Sequence, residues 1–300
     1  MQKKWLKRIL IIFGILVLCY GAFVQWMLPR LIVKVNSWPI SWMKETPEEI
    51  NYSGKYVSRA FSIETSDNLK LKGRIIRADV KSEICVVLVH GIRSRKENYY
   101  QIVDGIASNG FDVIVFDQRC HGESEGEYCT FGVKESEDVR QLIQFASEEF
   151  HIQKFVLWGQ SLGGSVVIQS MNKDDRIIAG ISESTFTDYQ TIAKEYIQNK
   201  LPLFPDAVCD YASKIGAENA GFDPNEASTI EAAEKIRKPI LIVHGTEDEN
   251  INFKYGKQIY ESIPSREKQF IPIQGAGHNN LWQIGGENYF QIVINFIKNQ

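Results

Sequence analysis

A large excess of charge of one sign is what this chain lacks. Thirty-four lysines and arginines stand against 37 aspartates and glutamates in 300 residues, a formal net charge of −3. That balance leaves no basic footprint for nucleic acid, so none is expected among the partners. There is no low-complexity tract and no internal repeat in a composition that is 44% hydrophobic and 24% charged, which is the composition of an ordinary globular protein. Cysteine and histidine are also few, five of each. Cys120, His121 and Cys129 match no common zinc spacing and a fourth ligand is not evident, so no metal is expected. Cys120 and Cys129 bracket one loop. They could pair as a disulfide if the domain is exported, or remain free, partly buried thiols. Cys85, in "ICVVLVHG", reads as a buried strand residue.

Long apolar runs are absent too, with one exception. "MQKKWLKR" carries Lys3, Lys4, Lys7 and Arg8, and "ILIIFGILVLCYGAFVQWML", Ile9 to Leu28, carries no charge. Twenty helical residues span about 30 Å, the thickness of a bilayer core. A cleaved signal peptide is the rival reading. Its apolar stretch is usually about 7–15 residues long and ends in a small-x-small site, and no such site is evident here. An uncleaved anchor is expected over residues 9–28, after a basic cytoplasmic segment at 1–8. Arg30, Lys34 and Lys44 beyond it are fewer and more dispersed. The positive-inside bias therefore predicts a single-pass protein with its N-terminus in the cytoplasm and its large domain outside it.

Residues 29–53, with Pro29, Pro39 and Pro47, read as a stalk, and 54–300 as one domain. "YVSRAFSIET" and "LKLKGRIIRA" flank an "SDN" turn and read as a hairpin. Then the rhythm changes. "ICVVLVHG", "DVIVFD", "KFVLWG", "IIAGISES", "PILIVHG" and "KQFIPI" are short apolar runs, most of them separated by segments of helical length. That alternation predicts an α/β domain whose mostly parallel central sheet is covered by helices on both faces. Reacting residues in such sheets sit beyond the carboxyl ends of strands. About residues 185–228 the interval is too long for one crossover helix, so a short cap is expected there.

Two stretches fit Gly-x-Ser-x-Gly, "CHGESEG" at Ser124 and "GQSLG" at Ser161. Ser161 follows the apolar strand "KFVLW" and precedes "LGGSVVIQSM", which suits a helix packed on the sheet. Strand, sharp turn and helix make a nucleophile elbow, with Gly159 and Gly163 supplying the small flanks. Ser124 lies between Glu123 and Glu125, whose charge would oppose an oxyanion, and no apolar helix follows it directly. It reads as part of a surface loop.

A serine needs a base, and the base needs an orienting acid. In chain order these should follow as acid, then His. His278 lies in "QGAGHNN" after the last strand, and Asp248 in "TEDEN" after the preceding one, which puts both at the edge that carries Ser161. His121 is the runner-up base, and Glu247 or Glu249 could replace Asp248. His90 and His244 close strands and read as strand-end packing or turn-bonding residues, and His151 falls at the opposite edge. The backbone N–H groups of Leu162 and Ile92 are the expected oxyanion donors, from position alone.

"VLVHG", "DQRCHGESEG", "GQSLGG", "PILIVHGTEDENI" and "GAGHNNL" together resemble the α/β-hydrolase superfamily from about residue 55 to the end. The chain looks most like its membrane-anchored branch of serine-aminopeptidase-like and monoacylglycerol-lipase-like members. Members of that kind carry Asp-x-Arg-Gly-His-Gly-x-Ser, and here Cys120 stands in place of the first glycine. The resemblance implies Ser161 as nucleophile, Asp248 as acid and His278 as base, without cofactor or metal.

A serine hydrolase acting on an ester, thioester or amide is the expected function. Its partners would be a small acyl substrate of lipid-derived kind and, through the N-terminal helix, the membrane. Phe186, Tyr189, Tyr196, Leu203 and Phe204 could line an acyl pocket or form the cap's own core. No acidic cluster awaits an N-terminal amine, so an esterase ranks above a peptidase. The same three residues would serve an acyltransferase or a cofactor-free haloperoxidase. A catalytically silent binding or scaffold protein on the same frame is the reading from another class.

Overall fold

Near-continuous apolar runs form strands only where both faces of a sheet are covered, and the computed structural model shows that arrangement. It describes residues 2–35, 56–80 and 83–300. Helix α1 (Gln2–Ala22) continues through a π turn at Phe23–Met27 into α2 (Leu28–Val33). The hairpin β1 (Val57–Glu64) and β2 (Lys70–Arg77) follows. The alternating part comprises β3 (Ile84–Val89), α3 (Tyr100–Ser108), β4 (Asp112–Phe116), α4 (Glu135–Phe150), β5 (Lys154–Gln160), α5 (Leu162–Ser170) and β6 (Ile177–Glu183). Helices α6 (Tyr189–Lys200), α7 (Asp206–Ala220) and α8 (Thr229–Ala233) precede β7 (Ile240–Gly245), α9 (Phe253–Ser262), β8 (Lys268–Ile273) and α10 (Leu281–Lys298).

The eight strands form one sheet in the order β1-β2-β4-β3-β5-β6-β7-β8. Pairings from β4 to β8 are parallel, and β1 and β2 join antiparallel at one edge. Side chains alternate across such a sheet. Cys85, Val87 and Val89 enter one core with Leu142 of α4 and Val166 of α5. Val86 and Leu88 enter the other, with Val103 of α3 and Val293 of α10. Because both faces are apolar, β3 reads as an unbroken hydrophobic run.

The N-terminal helix is long and apolar enough to cross a membrane, Lys4–Val33 with a mean hydropathy of 2.3 over its most apolar window. Leu10, Phe13 and Leu16 lie exposed along it. Its last turn behaves differently. Leu28, Pro29, Ile32 and Val33 are buried, α2 packs on α7, and Val33 accepts the Cys129 N–H at 2.8 Å. Residues 29–35, expected as the start of a stalk, are thus docked on the domain, because the apolar side of α2 finds a partner in α7. The remainder of that stretch, 36–53, lies outside the described residues.

One buried carboxyl stands under the sheet's working edge. Glu183, at the end of β6, accepts Trp158 Nε1–H at 2.7 Å and the Tyr289 hydroxyl. Burial pushes its carboxyl up to about 7, against the pull of those two donors. A group protonated in the fold at a pH where the unfolded chain has released its proton stabilises the fold at low pH. That contribution is complete below the ordinary value of 4.5 and is lost as pH rises through about 7. Glu183→Gln keeps an oxygen for both donors and has no proton to lose. Urea unfolding from pH 4.5 to 8 should show wild-type stability falling relative to the variant, with the variant ahead above pH 7. Parallel curves would refute the neutral carboxyl.

Candidate active site

The strand-to-helix turn between β5 and α5 is built by steric exclusion. Ser161 holds φ 58° and ψ −119°, a backbone conformation that a residue with a Cβ adopts only when its surroundings impose it. A methyl on Gly159 would stand 2.4 Å from the Gly163 carbonyl carbon, and one on Gly163 would stand 1.9 Å from the Val89 oxygen. Only hydrogens fit at both places, and this lets α5 approach β3. The turn is also tied down through its backbone. Ser161 N–H donates to Glu183 O at 2.8 Å, and its carbonyl accepts the Thr185 hydroxyl at 2.9 Å.

Asp248 and His278 come from the loops after β7 and β8. Asp248 Oδ2 lies 2.8 Å from His278 Nδ1 and 3.5 Å from Nε2 of the buried His244. Its Oδ1 accepts the N–H groups of Asn250 and Ile251 at 3.0 and 2.9 Å. Burial pushes this carboxyl up, but the bonds from His244 and His278 outweigh it and hold it well below the usual carboxylate range. The contact through Nδ1 leaves Nε2 of His278 for the cavity. Gln160 fixes the His278 backbone from the other side, donating to its carbonyl at 2.7 Å.

Ser161, Leu162, Ile92 and His278 line one cavity of about 560 Å³, and Asp248 stands behind His278. Leu162 opens α5, so its N–H has no intrahelical acceptor. The loop after β3 runs close by, since a methyl on Gly91 would lie 3.4 Å from Ser161 Cβ. Phe186 and Tyr196 line the cavity as well. Tyr189 does not; it is buried in the core and donates to Ser213 O at 2.8 Å. Leu203 is 94% exposed, and Phe204 packs on Tyr20 and Phe23 of the N-terminal helix.

The competing residues have other partners. Ser124 Oγ donates to Asp117 O at 2.6 Å and accepts Lys72 N–H at 2.9 Å, pinning its loop to β2. His121 Nδ1 lies 2.9 Å from Arg119 O, and its ring meets His90 edge-on. His90 accepts Gln118 N–H through Nε2 at 3.0 Å. His151 caps the far end of α4. Glu247 and Glu249 are exposed where Asp248 is buried. Cys120 and Cys129 are buried free thiols, not a disulfide. His244, expected to pack at its strand end or bond in the turn, also reaches Asp248, and Gln160 was not anticipated. The spacing of four between His244 and Asp248 was the available signal for the first, and nothing local marked the second.

Comparison with known proteins agrees with this architecture. A family model described as serine aminopeptidase, S33, matches residues 81–208. The chain is 23% identical to the uncharacterized protein YfhR of Escherichia coli (strain K12), over 92% of this chain and 90% of that one. It is 27% identical to the lysophosphatidylserine lipase ABHD12 of Danio rerio, over 64% of this chain and 52% of that one. Among solved structures, the esterase Pf2001 of Pyrococcus furiosus superposes with a TM-score of 0.68 at 21% identity, over 81% of this chain and 91% of that one.

The steric account of the turn gives its own test. Gly163→Ala forces either α5 or the end of β3 to move, and overpacking of this kind costs about 1–3 kcal/mol or more. The variant should lose at least about 2 kcal/mol in urea unfolding. Wild-type stability in Gly163→Ala would show that the turn has slack.

Proposed function

We propose that this chain, which belongs to the α/β-hydrolase superfamily, is a serine hydrolase that cleaves a carboxylic ester through an acyl-enzyme. The observation that carries the reading is the shared cavity, with Ser161 on its strained turn facing the space that His278 faces from its bond to Asp248. Ser161 Oγ attacks the carbonyl carbon while His278 Nε2 takes its proton. Asp248 fixes the imidazole and stabilises the imidazolium that forms. The backbone N–H groups of Leu162 and Ile92 hold the oxyanion, each contributing about 3 kcal/mol in the transition state. The tetrahedral intermediate collapses, His278 protonates the departing alkoxide, and the acyl group stays on Ser161. Water then attacks with His278 as base, which frees the acid and restores the serine. Thioester or amide cleavage would follow the same steps, as would acyl transfer to an alcohol.

The substrate is best read as lipid-derived. Phe204 packs on Tyr20 and Phe23, and the Tyr211 hydroxyl bonds Gln25, so the cap touches the apolar run itself. Ile32, just beyond that run, lines the cavity. With the run acting as a single-pass anchor, N-terminus in the cytoplasm, the cap tip would sit at the bilayer surface, with the cavity beside the place where the helix leaves it. The relative from Danio rerio, a lipase by name, agrees with this direction.

A fluorophosphonate probe should label wild-type protein in detergent. Ser161→Ala should abolish labelling and ester turnover, and His278→Gln should lower kcat by about 10⁴-fold or more. Ser124→Ala should still label. An unlabelled, folded wild type would leave the silent scaffold as the better reading. For the membrane reading, Leu203→Asp should reduce turnover of an ester in vesicles several-fold and leave a short soluble ester nearly unaffected. Equal turnover of both would place the cap tip away from lipid.

A further inference from the structure

Among the described residues, the cavity wall carries cations and no carboxylate: Arg93, Lys200 and His278 are its titratable bases, and no Asp or Glu lines it. This occurs in a chain whose net charge is −3. The polar lining is otherwise neutral, with Asn98, Asn199 and Asn279 among it.

Arg93 follows Ile92 in the loop after β3 and holds φ 59°. Its Nη1 donates to the Tyr196 hydroxyl at 2.6 Å and its Nη2 to Leu31 O at 3.0 Å. The guanidinium lies 5.2 Å from the Tyr196 ring. Its Nε is shielded from solvent and has no partner among the described residues. Both acceptors are neutral. A guanidinium is always charged, and this half-buried one has only neutral acceptors and no counter-ion among the described residues, so an arriving anion would meet an uncompensated charge. Tyr196 and Lys200 are four apart on α6, hence on one side of it, and both line the cavity. Lys200 has no carboxylate partner among the described residues, so a second unpaired charge stands on the same wall.

We propose that Arg93 and Lys200 form an anion subsite, and that the ester substrate carries a phosphate or carboxylate at the end remote from its reacting carbonyl. This rests on the hydrolase reading above. The planar Arg93 fork suits a two-oxygen anion, Lys200 supplies a mobile point charge, and the apolar wall of Ile32, Phe186 and Trp282 takes the hydrocarbon part. Arg93 also bridges α2 and α6, so its loss could act through the cap alone. The test must separate these two roles.

Three laurate esters in the same neutral micelles serve as probes: 1-lauroylglycerol, 1-lauroylglycerol 3-phosphate and O-lauroylglycolate. Wild type should show kcat/KM at least ten-fold higher on the phosphate or the carboxylate ester than on the neutral one, and the better of the two identifies the anion. In Arg93→Gln that ratio should fall about ten-fold, and in Lys200→Gln several-fold, while Arg93→Lys should retain part of it. A wild type with no preference overturns the subsite. So does an equal fall on all three esters in Arg93→Gln, which would make Arg93 a bridge only. If Arg93→Gln does not fold, the exposed Lys200→Gln decides by the same ratio. Calorimetry with Ser161→Ala protein separates the subsite from the hydrolase reading. Dodecyl phosphate or dodecanoate should bind at least ten-fold tighter than dodecyl maltoside, and Lys200→Gln should narrow that gap. Absence of turnover on every ester with the binding gap intact would sink the hydrolase reading and keep the subsite. Turnover without any binding gap would do the reverse.

Discussion

Everything at the working edge depends on how closely α5 approaches β3. The space between the Gly163 Cα and the Val89 carbonyl does not admit a methyl group. That contact sets where α5 begins, which fixes the Leu162 N–H, and it forces the preceding residue into the left-handed region where Ser161 stands. The strain at Ser161 is sustained because the turn is held from both sides, by Glu183 O on its N–H and by the Thr185 hydroxyl on its carbonyl. Neither bond uses the Ser161 side chain, so the hydroxyl remains available to the cavity.

Strands β3 to β8 were legible in the sequence because a parallel sheet covered on both faces leaves unbroken apolar runs, and their carboxyl ends pointed to Ser161, Asp248 and His278. Strand ends are local features, so chain order carries their meaning. The docking of residues 28–35 was not legible. Its partners lie far along the chain, with Arg93 reaching Leu31 across 62 residues and Tyr196 across 103. No period or spacing encodes such a contact. Proline at position 29 suggested an extended stalk, yet it falls in the first turn of α2, where a missing N–H costs little.

That docking changes how the N-terminal helix relates to the cavity. A stalk would leave the domain free to turn above a bilayer. Instead the last turn of the helix is part of the hydrophobic core, and Ile32 reaches the cavity wall. Arg93 bonds this turn and α6 at once, so the loop that bears Ile92, α6 and the apolar helix meet at one side chain. A displacement of the helix relative to the domain would therefore be felt beside the expected oxyanion donor.

Two buried carboxyls lie close to the same turn, and their surroundings push them in opposite directions. Glu183 is contacted by an indole and a phenol, neutral donors that do not offset its burial, and its carboxyl rises to about 7. Asp248 is contacted by two imidazoles and two backbone N–H groups, and its carboxyl falls. A carboxyl that is half protonated near neutral pH would be a poor partner for an imidazole that must gain a proton, because the stabilising charge is present only part of the time. Asp248 keeps its charge across the physiological range, and its Nδ1 contact sets which nitrogen of His278 is left for the cavity. On electrostatic grounds Asp248, and not Glu183, is the charged carboxylate that His278 meets. Glu183, whose backbone carbonyl holds the Ser161 N–H, serves the turn through its main chain and the core through its side chain.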